Sequence, residues 1–259
     1  MTFVALALTG LFAGVLGSLL GLGGGVFLVP ALTLLFNLPV QTAVSTGLVV
    51  VIATSAGVAA VSRPGRSADV PLALRLEVAT TAGAMFGAWL AGHISSQALY
   101  VIFAGVVFFT AVYLYAKTHR KASGEQVEAL FRQDYRIMHW PIGLAASSVA
   151  GLISGLLGVG GGFIKVPVMY AVMDVPLGVA TATSNFMVGI TAAASVFVYY
   201  GRGDILPLVA IPTVLGGFAG AVIGVAVQSR LRAARLRTAL IGLLVIIGFQ
   251  MLWRGIQGG

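Results

Sequence analysis

One apolar stretch occurs twice in this chain, and the rest must be arranged around its two copies. Residues 14–30 read GVLGSLLGLGGGVFLVP and residues 151–167 read GLISGLLGVGGGFIKVP. A shift of 137 superposes them with nine identities in seventeen positions, among them Gly23/Gly160, Gly24/Gly161, Gly25/Gly162 and Pro30/Pro167. Each copy is an apolar run cut by clustered glycines and closed by a proline. In water such a run makes a turn. Inside a bilayer it breaks a helix, and broken backbone is tolerated there only where it is buried in protein or lines a cavity.

Composition selects the bilayer. The chain is 59% hydrophobic and 8% charged, against about 25% charged residues in ordinary globular domains. Several stretches approach the ~20 apolar residues that span the hydrocarbon core. The net charge of +8 is therefore no footprint for nucleic acid, because its Lys and Arg sit between apolar runs, where cytoplasmic loops collect them. With no cysteine, disulfides, thiol catalysis and thiolate metal sites are excluded. The apolar N-terminus lacks the basic start of a signal peptide and is expected to belong to the mature protein.

Taken in order, apolar residues 3–20 reach the first break, and 26–36 form a run too short to cross the core. A turn at Asn37 and Pro39 leads to segments at 40–62, 71–92 and 98–116. Residues 1–116 thus form a first transmembrane repeat, 117–139 a cytoplasmic linker, and 140–259 a second repeat. The linker is the only long hydrophilic stretch, with a short surface helix expected near 125–136. Asp174 and Pro176 answer Asn37 and Pro39. Asp69 and Asp204 each precede a proline and are expected to cap helices. Gly83/Gly87 and their counterparts Gly216/Gly220 predict close helix packing.

Charge predicts the topology. The loop at 63–69 and the linker are basic and share a side. The loop carrying Arg230, Arg232, Arg235 and Arg237 answers residues 93–97, which hold no Lys or Arg. If each broken segment crossed once, the halves would be parallel and those arginines outside. If each is a hairpin, the halves are inverted and the arginines lie inside, as the positive-inside rule favours. The expected fold is an all-α polytopic membrane protein of two inverted repeats, each a glycine-broken helical hairpin plus three transmembrane helices. Inverted repeats with broken helices meeting at the midplane are a recurring plan of secondary transporters.

The candidate substrate-binding residues follow from that plan. Gly23, Gly24, Gly25, Gly160, Gly161 and Gly162 would turn backbone N–H groups toward a cavity, which suits an anion. Lys165 lies just past the second break, where a cation is costly and faces a cavity or a partner; its repeat counterpart is Leu28. It is read as charge compensation for an anion, or else as a snorkelling lysine or the partner of a carboxylate such as Asp174. Thr46, Thr54, Ser184, Asn185 and Thr191 could orient the anion by hydrogen bonds, or serve interhelical packing. Arg75 and Glu77, early in the 71–92 segment, are expected to form an interfacial pair, the alternative being a coupling site; His93, His119 and His139 are expected to be structural or solvated.

Enzyme signatures fail. GLGGGV is followed by no Walker Lys-Ser/Thr and lies in no βαβ unit, and no nucleophile–base set or acid pair lies within the membrane. No catalytic residue, metal or cofactor is expected.

The twice-repeated element, GLGGGVFLVP at 21–30 and GVGGGFIKVP at 158–167, resembles the TauE/SafE family of sulfite exporters and toluene-sulfonate permeases across essentially the whole chain. The resemblance implies a multi-pass inner-membrane permease for sulfite, sulfonates such as sulfoacetate, or other small organic anions. The expected partners are a small anionic substrate and the lipid bilayer, not nucleic acid. Coupling to H+ or Na+, direction of transport and homo-oligomerisation stay open. The alternatives are a permease for another carboxylate or inorganic ion, and a non-transporting membrane scaffold.

Overall fold

The computed structural model describes residues 2–20, 23–61, 68–120, 135–228 and 233–257, and within them the regular structure is helix alone. The first half carries α1 (Thr2–Leu20), α2 (Gly25–Leu35), α3 (Val40–Val61), α4 (Val70–Ala91) and α5 (Ser96–Arg120). The second carries α6 (Trp140–Leu157), α7 (Gly162–Ala171), α8 (Leu177–Gly201), α9 (Pro207–Gln228) and α10 (Ala233–Gln257). Five of these helices, α3, α6, α8, α9 and α10, are long and apolar enough to cross a membrane, as a chain with so little charge requires. Large apolar side chains such as Phe86, Phe197, Leu208 and Phe249 face outward, the arrangement expected where the surrounding solvent is lipid.

Packing exchanges helices between the halves. α1 packs along α9, α6 packs along α4, and α5 pairs with α10. Glycines permit the close approach: Gly10 and Gly14 lie against the carbonyls of Thr213 and Gly217, and Gly83 and Gly87 against those of Ser148 and Leu152. The small-residue spacings read from the sequence lie on these seams, with Gly216 and Gly220 against the Ala7 and Leu11 carbonyls. Gly83 meets Ser148 as Gly220 meets Leu11, so the shift of 137 holds here and Gly83 answers Gly220, not Gly216. Residue numbers rise together along both seams, so each pair runs parallel. Equivalent helices run the other way. Ser55 on α3 bonds the Asn185 carbonyl on α8 while Ser45 reaches the Asp204 carbonyl just past the end of α8, so α3 and α8 cross antiparallel. α5 and α10 do likewise, with Phe108 against Gly248 and Val101 against Gly255.

Each break folds the chain back on itself. Gly24 lies against the Ala13 carbonyl, and its counterpart Gly161 lies against the Ala150 carbonyl. Gly23, Gly158, Gly160 and Gly161 take φ between 69° and 84°, a region open to glycine at little cost. Pro30 and Pro167 lie inside α2 and α7, within the short runs expected after the breaks. The Thr33 hydroxyl bonds the Val29 and Pro30 carbonyls just beyond the first of them. Asn37 and Asp174 share left-handed φ of 50° and 60°, so the two turns after the short helices are built alike. Arg254 fixes the first by donating to the Thr33 carbonyl and the Asn37 side chain, each at 2.6 Å.

Three polar expectations change. Asp69 caps α4, accepting from the Leu72 amide at 2.9 Å, but the Asp204 carboxylate is held by Arg202. Arg235 and Arg237 fall inside α10, and Arg230 and Arg232 lie outside the described residues, as does most of the expected linker helix. Residues 135–139 are not helical. They dock on the fold: the Tyr135 hydroxyl donates to Asp69, and the Met138 amide donates to the Met173 carbonyl. Burial and that bond to Asp69 push the Tyr135 phenol above its usual range.

Candidate functional site

The two breaks meet near the α3/α8 crossing. A Cβ placed on Gly25 would come within 1.9 Å of the Gly158 carbonyl oxygen, so the start of α2 abuts the end of α6 with no room for a side chain. Gly23 sits between Val51 of α3 and Val188 of α8. Around this contact the polar residues divide into two groups.

The first group lines a cleft. Gly17, Ser18, Gly23, Thr54, Ser55, Val58, Asn185 and Val188 enclose it. Three of these, Gly23, Thr54 and Asn185, are expected site residues; Ser18 and Ser55 join them. The cleft adjoins the N-terminus of α2, whose N-cap Gly24 offers no side-chain oxygen to its first amides. Gly25 already donates to the Gly23 carbonyl, and Phe27 and Leu28 donate to that of Gly24; the helix start still carries a partial positive charge. The Thr54 hydroxyl satisfies itself on the Val51 carbonyl at 3.0 Å, which leaves its lone pairs available.

The second group is closed. Lys165 is 2% exposed and Glu77 is 5% exposed. Their charged atoms, Nζ and Oε2, stand 3.7 Å apart, beyond hydrogen-bond range. Thr191 joins them: Lys165 Nζ donates to its hydroxyl at 2.8 Å, and that hydroxyl lies 2.6 Å from Glu77 Oε1. The Thr81 hydroxyl approaches the same Oε1 at 3.4 Å. Oε2 is buried and has no hydrogen-bond partner among the described residues. A buried charge pair is costly to assemble unless its remaining valences are filled, and here one carboxylate oxygen is left open. The two groups adjoin along α8, which sends Asn185 and Val188 to the cleft and Thr191, one turn on, to the ion pair.

The remaining expected residues lie between or behind these groups. Thr46 and Ser184 are buried, and their hydroxyls have no hydrogen-bond partner among the described residues. Gly160, Gly161 and Gly162 shape the start of α7 and leave it without a side-chain cap. Lys165 finds its carboxylate in Glu77, whereas Asp174 is exposed. Arg75 and Glu77 do not pair: Arg75 is exposed and stacks over Trp140, 5.4 Å from the ring centroid. Helical phase could have separated them. Glu77 falls in step with the buried Thr80, Ala84, Gly87 and Ala91, and Arg75 with the exposed Val78 and Trp89. His93 and His139 lie at helix ends and meet carbonyls of Trp89 and Val172.

Comparison with known proteins adds a family. A family model described as sulfite exporter TauE/SafE matches residues 6–251. The chain is 28% identical to the probable membrane transporter protein YunE of Bacillus subtilis, covering 99% of both chains. It is 24% identical to a probable membrane transporter protein of Methanocaldococcus jannaschii, over 95% of this chain and 94% of that one. A sulfite exporter TauE/SafE family protein of Arabidopsis thaliana shares 35% identity over 37% of this chain and 19% of its own length. No solved structure matches the chain significantly.

Proposed function

The chain belongs to the sulfite exporter TauE/SafE family of membrane transporters, and from that premise we propose that it moves small sulfur-containing anions, sulfite or organosulfonates of the sulfoacetate kind, by alternating access. It is a multi-pass membrane protein, and the inner membrane suits such a carrier. The reading is carried by one observation: the cleft at the first break combines an uncapped helix start with Ser18, Thr54, Ser55 and Asn185. Sulfonate and sulfite oxygens accept hydrogen bonds: the Asn185 amide can donate one directly, and the Ser18, Thr54 and Ser55 hydroxyls can do so by rotating off the Val15, Val51 and Asn185 carbonyls they now donate to. The amides of Gly23 and Gly24, and that of Gly25 once it leaves the Gly23 carbonyl, approach the anion from one side. Those of Gly160, Gly161 and Gly162 approach from the other half when the breaks exchange roles. Lys165 supplies the positive charge, and Thr46, Ser184 and Thr191 line the path between the halves.

Alternating access needs two arrangements related by exchange of the halves. The antiparallel run of α3 with α8 and of α5 with α10 supports an inverted relation, and the reciprocal α1–α9 and α4–α6 seams supply two rigid bodies. Uptake of radiolabelled sulfite and of methanesulfonate into proteoliposomes tests the function. The proposal expects saturable flux by the wild-type protein, reduced at least tenfold by Lys165→Ala. Wild-type flux no greater than that of protein-free liposomes would remove it.

A further inference from the structure

We propose that Glu77 is the proton-coupling residue of this carrier: an anion arriving at Lys165 displaces the Glu77 carboxylate, which takes up a proton as it leaves. The inference rests on the anion-transport reading above and adds the coupling ion and its acceptor.

Three observations carry it. First, Glu77 and Lys165 are both buried and close in charge yet make no direct hydrogen bond, standing 3.7 Å apart. Thr191 mediates between them. A pair held through a hydroxyl can part without breaking a bidentate contact. Second, Oε2 of Glu77 has no hydrogen-bond partner among the described residues, so that oxygen is open to a proton. Third, among the described residues no other charge lies within reach to compensate either member. Glu77 sits on α4, which packs on α6 and α8, and neither of those helices carries Asp, Glu, Lys, Arg or His. Lys165 comes from α7, Thr81 and Thr191 are neutral, and Arg75 points away to Trp140.

Charge balance then fixes the stoichiometry. Empty, the site holds one lysine cation and one carboxylate and is neutral. An anion that took Lys165 alone would leave a naked buried carboxylate, which low-dielectric surroundings penalise heavily. If one proton joins Glu77 as one monoanion joins Lys165, the loaded site is again neutral. The carrier therefore moves one proton with each singly charged anion in the same direction. The proton comes from the aqueous side to which the site is open and leaves with the anion on the other.

Methanesulfonate tests this because it stays ionised between pH 5 and 9, so every proton taken up belongs to the protein. In weakly buffered detergent solution with a pH-sensitive dye, wild-type protein should take up about one proton per methanesulfonate bound. Its dissociation constant should rise with pH toward about tenfold per unit. Glu77→Gln should bind methanesulfonate with no proton uptake and a flat pH profile, and Glu77→Asp should restore both. Should Glu77→Gln fail to fold, the wild-type proton count and pH profile decide alone. Wild-type binding with no proton uptake and pH-independent affinity overturns the coupling role and leaves anion transport standing. Proton uptake undiminished in Glu77→Gln overturns it as well. A protein stabilised by neither methanesulfonate nor sulfite contradicts the transport reading, and the coupling falls with it.

Discussion

Leu28, Thr54 and Val214 of one half-site stand, at the shift of 137, where Lys165, Thr191 and Glu77 stand in the other. Leu28 is fully buried, and among the described residues the Thr54 hydroxyl bonds only within its own helix. Lys165 and Glu77 are buried just as deeply but meet through Thr191. Duplication supplied a common frame of broken helix, small-residue seam and threonine. Two differences make one copy a charged site and leave the other apolar beside the cleft. The first half folds around the same frame without the charge.

That contrast can be broken from either side. Glu77→Ala leaves Lys165 buried without its carboxylate, and loss of one member of a buried pair costs about 3–5 kcal/mol. Thermal denaturation in detergent should show it as the largest loss of any single change at the site. Writing the first half into the second, Lys165→Leu with Glu77→Val, removes both charges together. Stability should then be unchanged or higher by about 1–4 kcal/mol. Gly25→Ala attacks the contact between the breaks. Because the neighbour is backbone and cannot move aside as a side chain would, it should cost at least about 1–3 kcal/mol, seen as a lower melting temperature. Thr191→Ala and Thr54→Ala form a matched pair. The first strips a buried ion pair of its mediator and should cost about 1–3 kcal/mol; the second loses one local bond worth about 0.5–1.5 kcal/mol. At the rim, Asp69→Ala removes the α4 cap and the Tyr135 bond, a loss of about 0.5–2 kcal/mol by the same measurement.

Much of the frame was legible in the sequence because repetition and hydropathy are local signals. The glycine breaks, the short helices after them, the turns at Asn37 and Asp174 and the Gly83/Gly87 seam each follow from residue type and spacing. Cross-chain pairing was not legible in that way. Lys165 was recognisable as an anomaly, but its partner lies on α4, across the boundary between the halves, and no local pattern names it. Position early in the 71–92 segment favours an interfacial pair of Arg75 and Glu77 over a coupling site, whereas helical phase places the two on opposite faces. Pro30 and Pro167 fall inside the expected short runs although proline ends most helices in water. Here each sits within a short apolar helix, and the Thr33 hydroxyl bonds carbonyls beside Pro30.

The most direct measurement is methanesulfonate flux into proteoliposomes by the wild-type protein and by the Lys165→Leu/Glu77→Val variant. The variant keeps the packing and removes the chemistry that distinguishes the two halves. The account predicts a stable, monodisperse variant whose flux falls to that of protein-free liposomes. A variant that transports at the wild-type rate would show that the charged half-site does not handle the anion, and the account would be wrong at its centre.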